Sequence, residues 1–272
     1  MYTNSDILKL SNDGFLLKKN LINSQQIDKI KKIITSNPEG KGTLESVYSV
    51  TFNSFLIKLL KIDFKKIFNS LYFLKIQNQL KLNSIASDFF NHKSKLVQID
   101  GYHNHKQETE ILPWHCDQSY TGAKIVNKLS PPENFNIKFM IYLTNVGPNN
   151  GCTSYIPGSH KVVYALRSCL YKKKIEYKPY WSISDFVKLI KDKKNYSLII
   201  DELKSKELFN DFLDKAETLI LLNNSSKFDF EALAGDVLIF NELGFHKGSR
   251  PTKNDRVVLR YLFKKKATLK YI

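Results

Sequence analysis

Arginine is nearly missing from a chain that is otherwise strongly basic. Four arginines (Arg167, Arg250, Arg256 and Arg260) stand among 42 basic residues, against 26 acidic ones, for a formal net charge of +16. Proteins that read nucleic acid rely on the planar guanidinium for paired contacts to bases and phosphates. The lysines here are scattered in twos and threes amid Asn and Ile, as solvated faces are, so nucleic acid is not the expected partner. Cysteine is scarce too. Cys116, Cys152 and Cys169 are an odd set with no C-x-x-C spacing. This excludes a disulfide framework or a thiolate zinc site and points to a reducing, cytoplasmic setting. No run of 18 uncharged apolar residues occurs, so a membrane span is not expected. "MYTNSDILKLSNDGF" lacks the basic and apolar regions of a secretory signal. There is no internal repeat and no Pro/Ser-rich linker. With 42% hydrophobic and 12% aromatic residues, a single globular domain over residues 1–272 is the simplest organisation.

What is present changes character along the chain. Residues 1–95 read as mostly helical support. In "NLINSQQIDKIKKIIT", Ser24 is an N-cap candidate, and positions 27, 30, 33 and 34 form an apolar stripe. "NPEGKG" at 37–42 is a break, and residues 55–90 return to a helical pattern that needs a sheet or other helices to pack against. From about Leu96 short strands and turns take over. In "FNIKFMIYLTNV" (135–146), Ile137, Phe139, Ile141 and Leu143 share one side at period two. Residues 96–161 and 232–266 together read as a mainly β sandwich or jelly roll with flanking helices. Residues 162–231, polar, lysine-rich and partly helical, read as a lid-like insertion.

The chemistry gathers around "PWHCDQSY" (113–120). On a strand, residues i and i+2 share a face, so His115 and Asp117 aim an imidazole and a carboxylate at one point. With a distant histidine they would make the two-histidine, one-carboxylate facial triad that holds Fe(II) and leaves positions open. The chain has only six histidines: 92, 103, 105, 115, 160 and 246. His246 lies in "GDVLIFNELGFHKGSRPTKNDRVVLRYLF", where a strand ends, a turn delivers the histidine and another strand leaves. That second strand opens with Arg256, whose guanidinium can grip a carboxylate through two parallel hydrogen bonds. Three of the four arginines fall within residues 250–260.

Residues 111–263 resemble the phytanoyl-CoA dioxygenase family of Fe(II)/2-oxoglutarate oxygenases. The resemblance runs through "WHCD", "KFMIYLTNVGPNNGCTSYIPGSHK" and "GDVLIFNELGFHKGS" with the arginine after it. It implies a double-stranded β-helix (a cupin-like jelly roll) and a dioxygenase that uses Fe(II), 2-oxoglutarate and O₂ to hydroxylate a small organic substrate. Carried over by position, it implies iron on His115, Asp117 and His246, with Arg256 holding the far carboxylate of 2-oxoglutarate. Arg260, on the same strand face, is the fallback anchor, and Gln98 on the preceding strand is a further candidate contact. Cys116 should point away from the metal. Because Asp117 is present, oxygenation is expected rather than the halogenation seen when a small residue replaces the carboxylate. The lysine-rich insertion suggests an anionic substrate, such as an acyl-CoA, phosphate or sugar-nucleotide derivative.

Two other readings compete. His103, His105 and Glu110 in "GYHNHKQETE" match the H-x-H-x₄-E spacing of a cupin metal site, although the P-x-G-x₂-H turn of cupins is missing near His246. A catalytically silent relative that binds an anionic partner is the second. His160 and Ser159 in "IPGSH" read as local turn partners and Trp114 as a packing residue.

Overall fold

The structure, a computed structural model, describes residues 2–36, 48–51, 64–117, 119, 129–222 and 226–266. The expected turn at 37–42 lies outside them, as do residues 55–63 of the helical stretch. Among the described residues there are eight helices: α1 (Asn4–Asp13), α2 (Ser24–Thr35), α3 (Phe64–Gln79), α4 (Leu82–Phe90), α5 (Ser159–Tyr171), α6 (Ile183–Lys191), α7 (Lys193–Leu203) and α8 (Lys206–Leu221). Nine strands accompany them: β1 (Phe15–Lys18), β2 (Tyr48–Thr51), β3 (Ser94–Asn104), β4 (Leu112–His115), β5 (Asn136–Tyr142), β6 (Thr153–Tyr155), β7 (Val237–Asn241), β8 (His246–Gly248) and β9 (Arg256–Lys265). They form a six-stranded sheet in the order β1-β7-β5-β9-β3-β2 and a three-stranded sheet β4-β8-β6. Every strand pair is antiparallel. No helix among the described residues is long and apolar enough to cross a membrane.

The period-two pattern sorts side chains onto two faces of the large sheet. Ile137, Phe139, Ile141, Val237, Ile239, Val257, Leu259, Tyr261 and Phe263 face outward into a core shared with residues of α1 to α4. Met140, Tyr142, Leu238, Phe240 and Val258 face the small sheet and join Tyr155 and Cys152 in a second core. The inner face of the same strands also carries Lys138, Arg256 and Arg260, which puts three cations between the sheets. A third core lies behind the small sheet, where Trp114, Cys116, Ile156 and Phe245 meet the apolar sides of α5 to α8. The layers run helices, large sheet, small sheet, helices.

The N-terminal third is mostly helical, but it also donates both edge strands of the large sheet, β1 pairing β7 and β2 pairing β3. Asn23, not Ser24, caps α2. Its side chain accepts from the Gln26 amide at 2.9 Å, and Gln26 answers in a capping box. The expected stripe holds, with Ile30 and Ile34 buried and Ile27 and Ile33 packed beside them. The insertion is more than a flap. Val162, Val163, Leu166 and Leu170 of α5 are buried, as are Phe186, Phe209 and Phe212 of the following helices. At about 25 cal/mol per Å² of apolar area removed from water, so many buried side chains fix these helices against the small sheet. His160 is not confined to a turn. It lies in the first turn of α5, and its Nε2 donates to the Ser11 carbonyl at 3.1 Å, tying that helix to α1.

Candidate metal centre

β4 and β8 are neighbours, and His115 pairs directly with His246 across them. Their ring centroids are 4.3 Å apart. The strand stops at His115, so Asp117 arrives from the turn that follows rather than from the same strand face. Its backbone amide donates to the Glu242 carbonyl at 3.2 Å, which folds the turn back over the histidines. The result is convergence. His246 Nε2 lies 3.3 Å and His115 Nε2 3.8 Å from carboxylate oxygens of Asp117. One ligand atom from each of the three residues falls within 4.8 Å of the others.

Protonation prepares the same atoms. His115 Nδ1 lies 2.7 Å from the Pro113 carbonyl and His246 Nδ1 lies 2.9 Å from that of Gly244. A carbonyl only accepts, so both Nδ1 atoms carry a hydrogen and both Nε2 atoms face the common point. Backbone carbonyls fix ring tautomers in this way at histidine metal sites. Burial, reinforced by His246, pushes His115 down to about 3, which leaves it neutral near pH 7. Burial alone would raise the Asp117 carboxyl, but Lys138 and the two imidazoles outweigh it and hold the group well below the usual carboxylate range. Two imidazole nitrogens and one carboxylate suit a divalent ion. Bonds of about 2.1 Å place adjacent ligands about 3 Å apart, and the observed separations need only small adjustments.

A cavity of about 310 Å³ opens on this point, lined among others by Tyr102, Lys138, Thr153, Phe240, Arg256 and Arg260. Arg256 is 5% exposed. Nη1 donates to Asn104 Oδ1 at 2.9 Å and Nη2 to Thr153 Oγ1 at 3.4 Å, while Nε is buried without a hydrogen-bond partner among the described residues. No carboxylate pairs with Arg256 among those residues. The neighbouring cations are matched: Arg260 by buried Asp100, Lys247 by Glu110 and Asp229, and Lys138 by Asp117. Among the described residues the cavity therefore holds one uncompensated guanidinium, and a buried charge of that kind calls for an anion.

Gln98 has the right parity but is absent from the cavity lining. It shares the inner face with Tyr102 and Asn104 and sits opposite Leu262. Its Nε2 donates to Asp100 Oδ1 at 2.7 Å. It thus braces the carboxylate that neutralises Arg260, outside the cavity lining. The cupin-type set does not assemble either: Glu110 turns to Lys247 at 3.4 Å, away from His103 and His105. Cys116 points away as expected, buried behind the small sheet with its sulfur 3.8 Å from the Tyr180 carbonyl, and burial pushes its thiol up.

Sequence patterns did not single out Lys138 or Trp181. Lys138 is 7% exposed and donates to Asp117. The available signal was a lysine in an apolar strand, out of phase with Ile137 and Phe139. Trp181 comes from the insertion and stacks on His115 with centroids 5.0 Å apart. A single bridge between His115 and Ser182 holds it there, and local sequence gave no sign of that pairing. A larger cleft of about 740 Å³, lined by Phe89, Phe135, His160 and Tyr164 among others, contains none of the three converging residues.

Comparison with known proteins bears on the family and the fold. The family model described as phytanoyl-CoA dioxygenase matches residues 10–257. No curated protein sequence matches the chain. Among solved structures, HygX from Streptomyces hygroscopicus with nickel and 2-oxoglutarate bound superposes with a TM-score of 0.53 at 14% identity, over 100% of this chain and 90% of that one. AviO1 from Streptomyces viridochromogenes Tue57 gives 0.53 at 14% identity, over 97% and 95%. The epimerase SnoN, in complex with Fe³⁺, alpha ketoglutarate and nogalamycin RO, gives 0.50 at 9% identity, over 96% and 82%. Identities this low establish the shared double-stranded β-helix fold.

Proposed function

The chain belongs to the phytanoyl-CoA dioxygenase family, and on that premise we propose that it is an Fe(II)- and 2-oxoglutarate-dependent dioxygenase that hydroxylates a small organic substrate. One observation carries the reading: His115, Asp117 and His246 converge in the cavity that holds the unmatched guanidinium of Arg256. These three residues would hold the iron through two Nε2 atoms and a carboxylate oxygen. Held there, iron would supply the oxidising power for oxygenation at the expense of 2-oxoglutarate and O₂.

The chain's own residues position and protect. Arg256 grips the far carboxylate of 2-oxoglutarate through a planar fork, and Asn104 and Thr153 hold that fork in place. Arg260 is locked to Asp100 and lines the cavity as a fixed, neutralised wall. Phe240 and Met140 make the inner wall apolar, and Trp181 shields the outer side of His115 from water. The insertion contributes that shield, so we assign residues 162–231 to the single catalytic domain. The cavity itself asks for one anion, which the cosubstrate satisfies. An anionic substrate is favoured only by the surface lysines.

The test is aerobic turnover with Fe(II), 2-oxoglutarate and a panel of small molecules, reading both succinate and product mass. A product that gains one oxygen atom supports hydroxylation. Succinate release with a product isomeric to its substrate would replace hydroxylation by epimerisation, the activity named for SnoN. No succinate above a His246→Ala control, with or without candidate substrates, would end the oxygenase reading.

A further inference from the structure

We infer that His103, His105 and Asp255 form a second metal site, for a divalent transition-metal ion of the Zn(II) type, on the outer side of the β3–β9 pair. The H-x-H pair that fails to meet Glu110 meets Asp255 instead. His103 Nε2 lies 2.8 Å and His105 Nδ1 3.1 Å from the same oxygen, Asp255 Oδ2, and the two rings are 4.3 Å apart. The second oxygen of Asp255 accepts the Lys106 amide at 2.9 Å, so the carboxylate is already oriented with Oδ2 toward both imidazoles. Three ligand atoms within 4.8 Å of one another make this the other such cluster among the described residues.

Zinc held by two imidazole nitrogens and a carboxylate oxygen at about 2.0–2.2 Å separates tetrahedral ligands by about 3.4 Å. The three groups would open by a few tenths of an ångström to admit it. Access needs no opening, since the His105 side chain is 76% exposed and that of Asp255 43%. A water would fill the fourth position. The donor set also orders the ions: sites of imidazole and carboxylate bind Zn(II), Ni(II) and Cu(II) more tightly than Fe(II). By donor type alone, Zn(II) is therefore the sensitive probe for this cluster.

Its placement gives the site a consequence. His103 and His105 flank Asn104, and Asp255 precedes Arg256, while Asn104 and Arg256 hydrogen-bond on the inner face. An ion on the outside would staple the two strand ends whose inner side holds that arginine.

The experiment is Zn(II) binding to chelator-stripped protein by equilibrium dialysis, in a His115→Ala/His246→Ala background that silences the inner cluster. One equivalent of Zn(II) is expected there, falling to none when His105→Asn or Asp255→Asn is added. His105 is mostly exposed, so its replacement leaves the fold intact. In the otherwise native chain, the His105→Asn variant alone should lower the stoichiometry by one equivalent. No zinc bound in the silenced background overturns the site. So does one equivalent that persists through both the His105→Asn and the Asp255→Asn changes. Neither readout depends on turnover, so failure of the oxygenase reading would leave this result standing.

Discussion

Arg256→Met separates an anchoring role from a structural one, because the two predict opposite signs for stability. A buried cation without a counter-charge costs several kcal/mol of desolvation. Two hydrogen bonds, to Asn104 and Thr153, offset part of that. Methionine removes the charge and roughly keeps the packing against Gly151 and Tyr142, but it loses two hydrogen bonds at about 1 kcal/mol each. The balance is a net gain of about 1 kcal/mol in the ligand-free protein, or about 2–4 °C in Tm for a chain of this size. Ligand linkage runs the other way. Wild-type protein with Ni(II) and 2-oxoglutarate at about 100 times its Kd gains about 2.7 kcal/mol, whereas the variant should gain almost nothing on adding 2-oxoglutarate. Differential scanning calorimetry with and without 2-oxoglutarate, Ni(II) present throughout, reads both effects. A variant that loses several degrees without ligand, yet is still stabilised fully by 2-oxoglutarate, would refute the reasoning and make Arg256 a packing residue.

Three further predictions follow from the same geometry. Arg256→Lys keeps the charge and loses the fork, so the apparent affinity for 2-oxoglutarate should fall about 10- to 100-fold with kcat nearly unchanged at saturation; an unchanged affinity in steady-state kinetics would move the anchor to Arg260. Burial pushes His160 down to about 4 from 6.5, so the folded state binds fewer protons than the unfolded one. Its contribution is complete above about pH 6.5 and is lost as pH falls toward 4, by at most about 3 kcal/mol. Urea titrations across that window should show a shallower slope in His160→Asn, and parallel profiles would contradict the assignment. Gly244→Ala places a Cβ on the Tyr155 hydroxyl, which donates to the Asn241 carbonyl at 3.0 Å beneath the His246 turn. It should destabilise by about 1–3 kcal/mol and weaken metal binding, and a wild-type midpoint in thermal unfolding would show that the turn tolerates the added atom.

The metal centre is more legible in the sequence than its surroundings are. In a chain with only six histidines, His115, Asp117 and His246 stand out because H-x-D and a strand-turn-histidine are local patterns. Their meeting is also topologically simple, because β4 and β8 are adjacent. Arg256 is legible through the rarity of arginine. Lys138 and Trp181 are not, because their roles depend on what lies across a sheet gap or arrives from an insertion. Gln98 shows the limit of periodicity: alternation fixes the face but does not say which neighbour takes the side chain, and here it is Asp100. His103 and His105 show a related limit. Their local partner by spacing is Glu110, whereas the observed partner, Asp255, comes from the far end of the chain through the β3–β9 register. The edge strands β1 and β2, four residues each, are too short to register as a pattern among helices.

The central claim is that a local His-x-Asp pair and a histidine about 130 residues further on share one ferrous ion with 2-oxoglutarate beside Arg256. Anaerobic titration of Fe(II) into the protein with 2-oxoglutarate tests it directly, through the visible metal-to-ligand absorption of the chelate. The band should saturate at one iron per chain, vanish in His246→Ala, and need far more 2-oxoglutarate in Arg256→Lys. A wild-type protein that shows no band, or a His246→Ala variant that keeps it at full strength, would contradict the account.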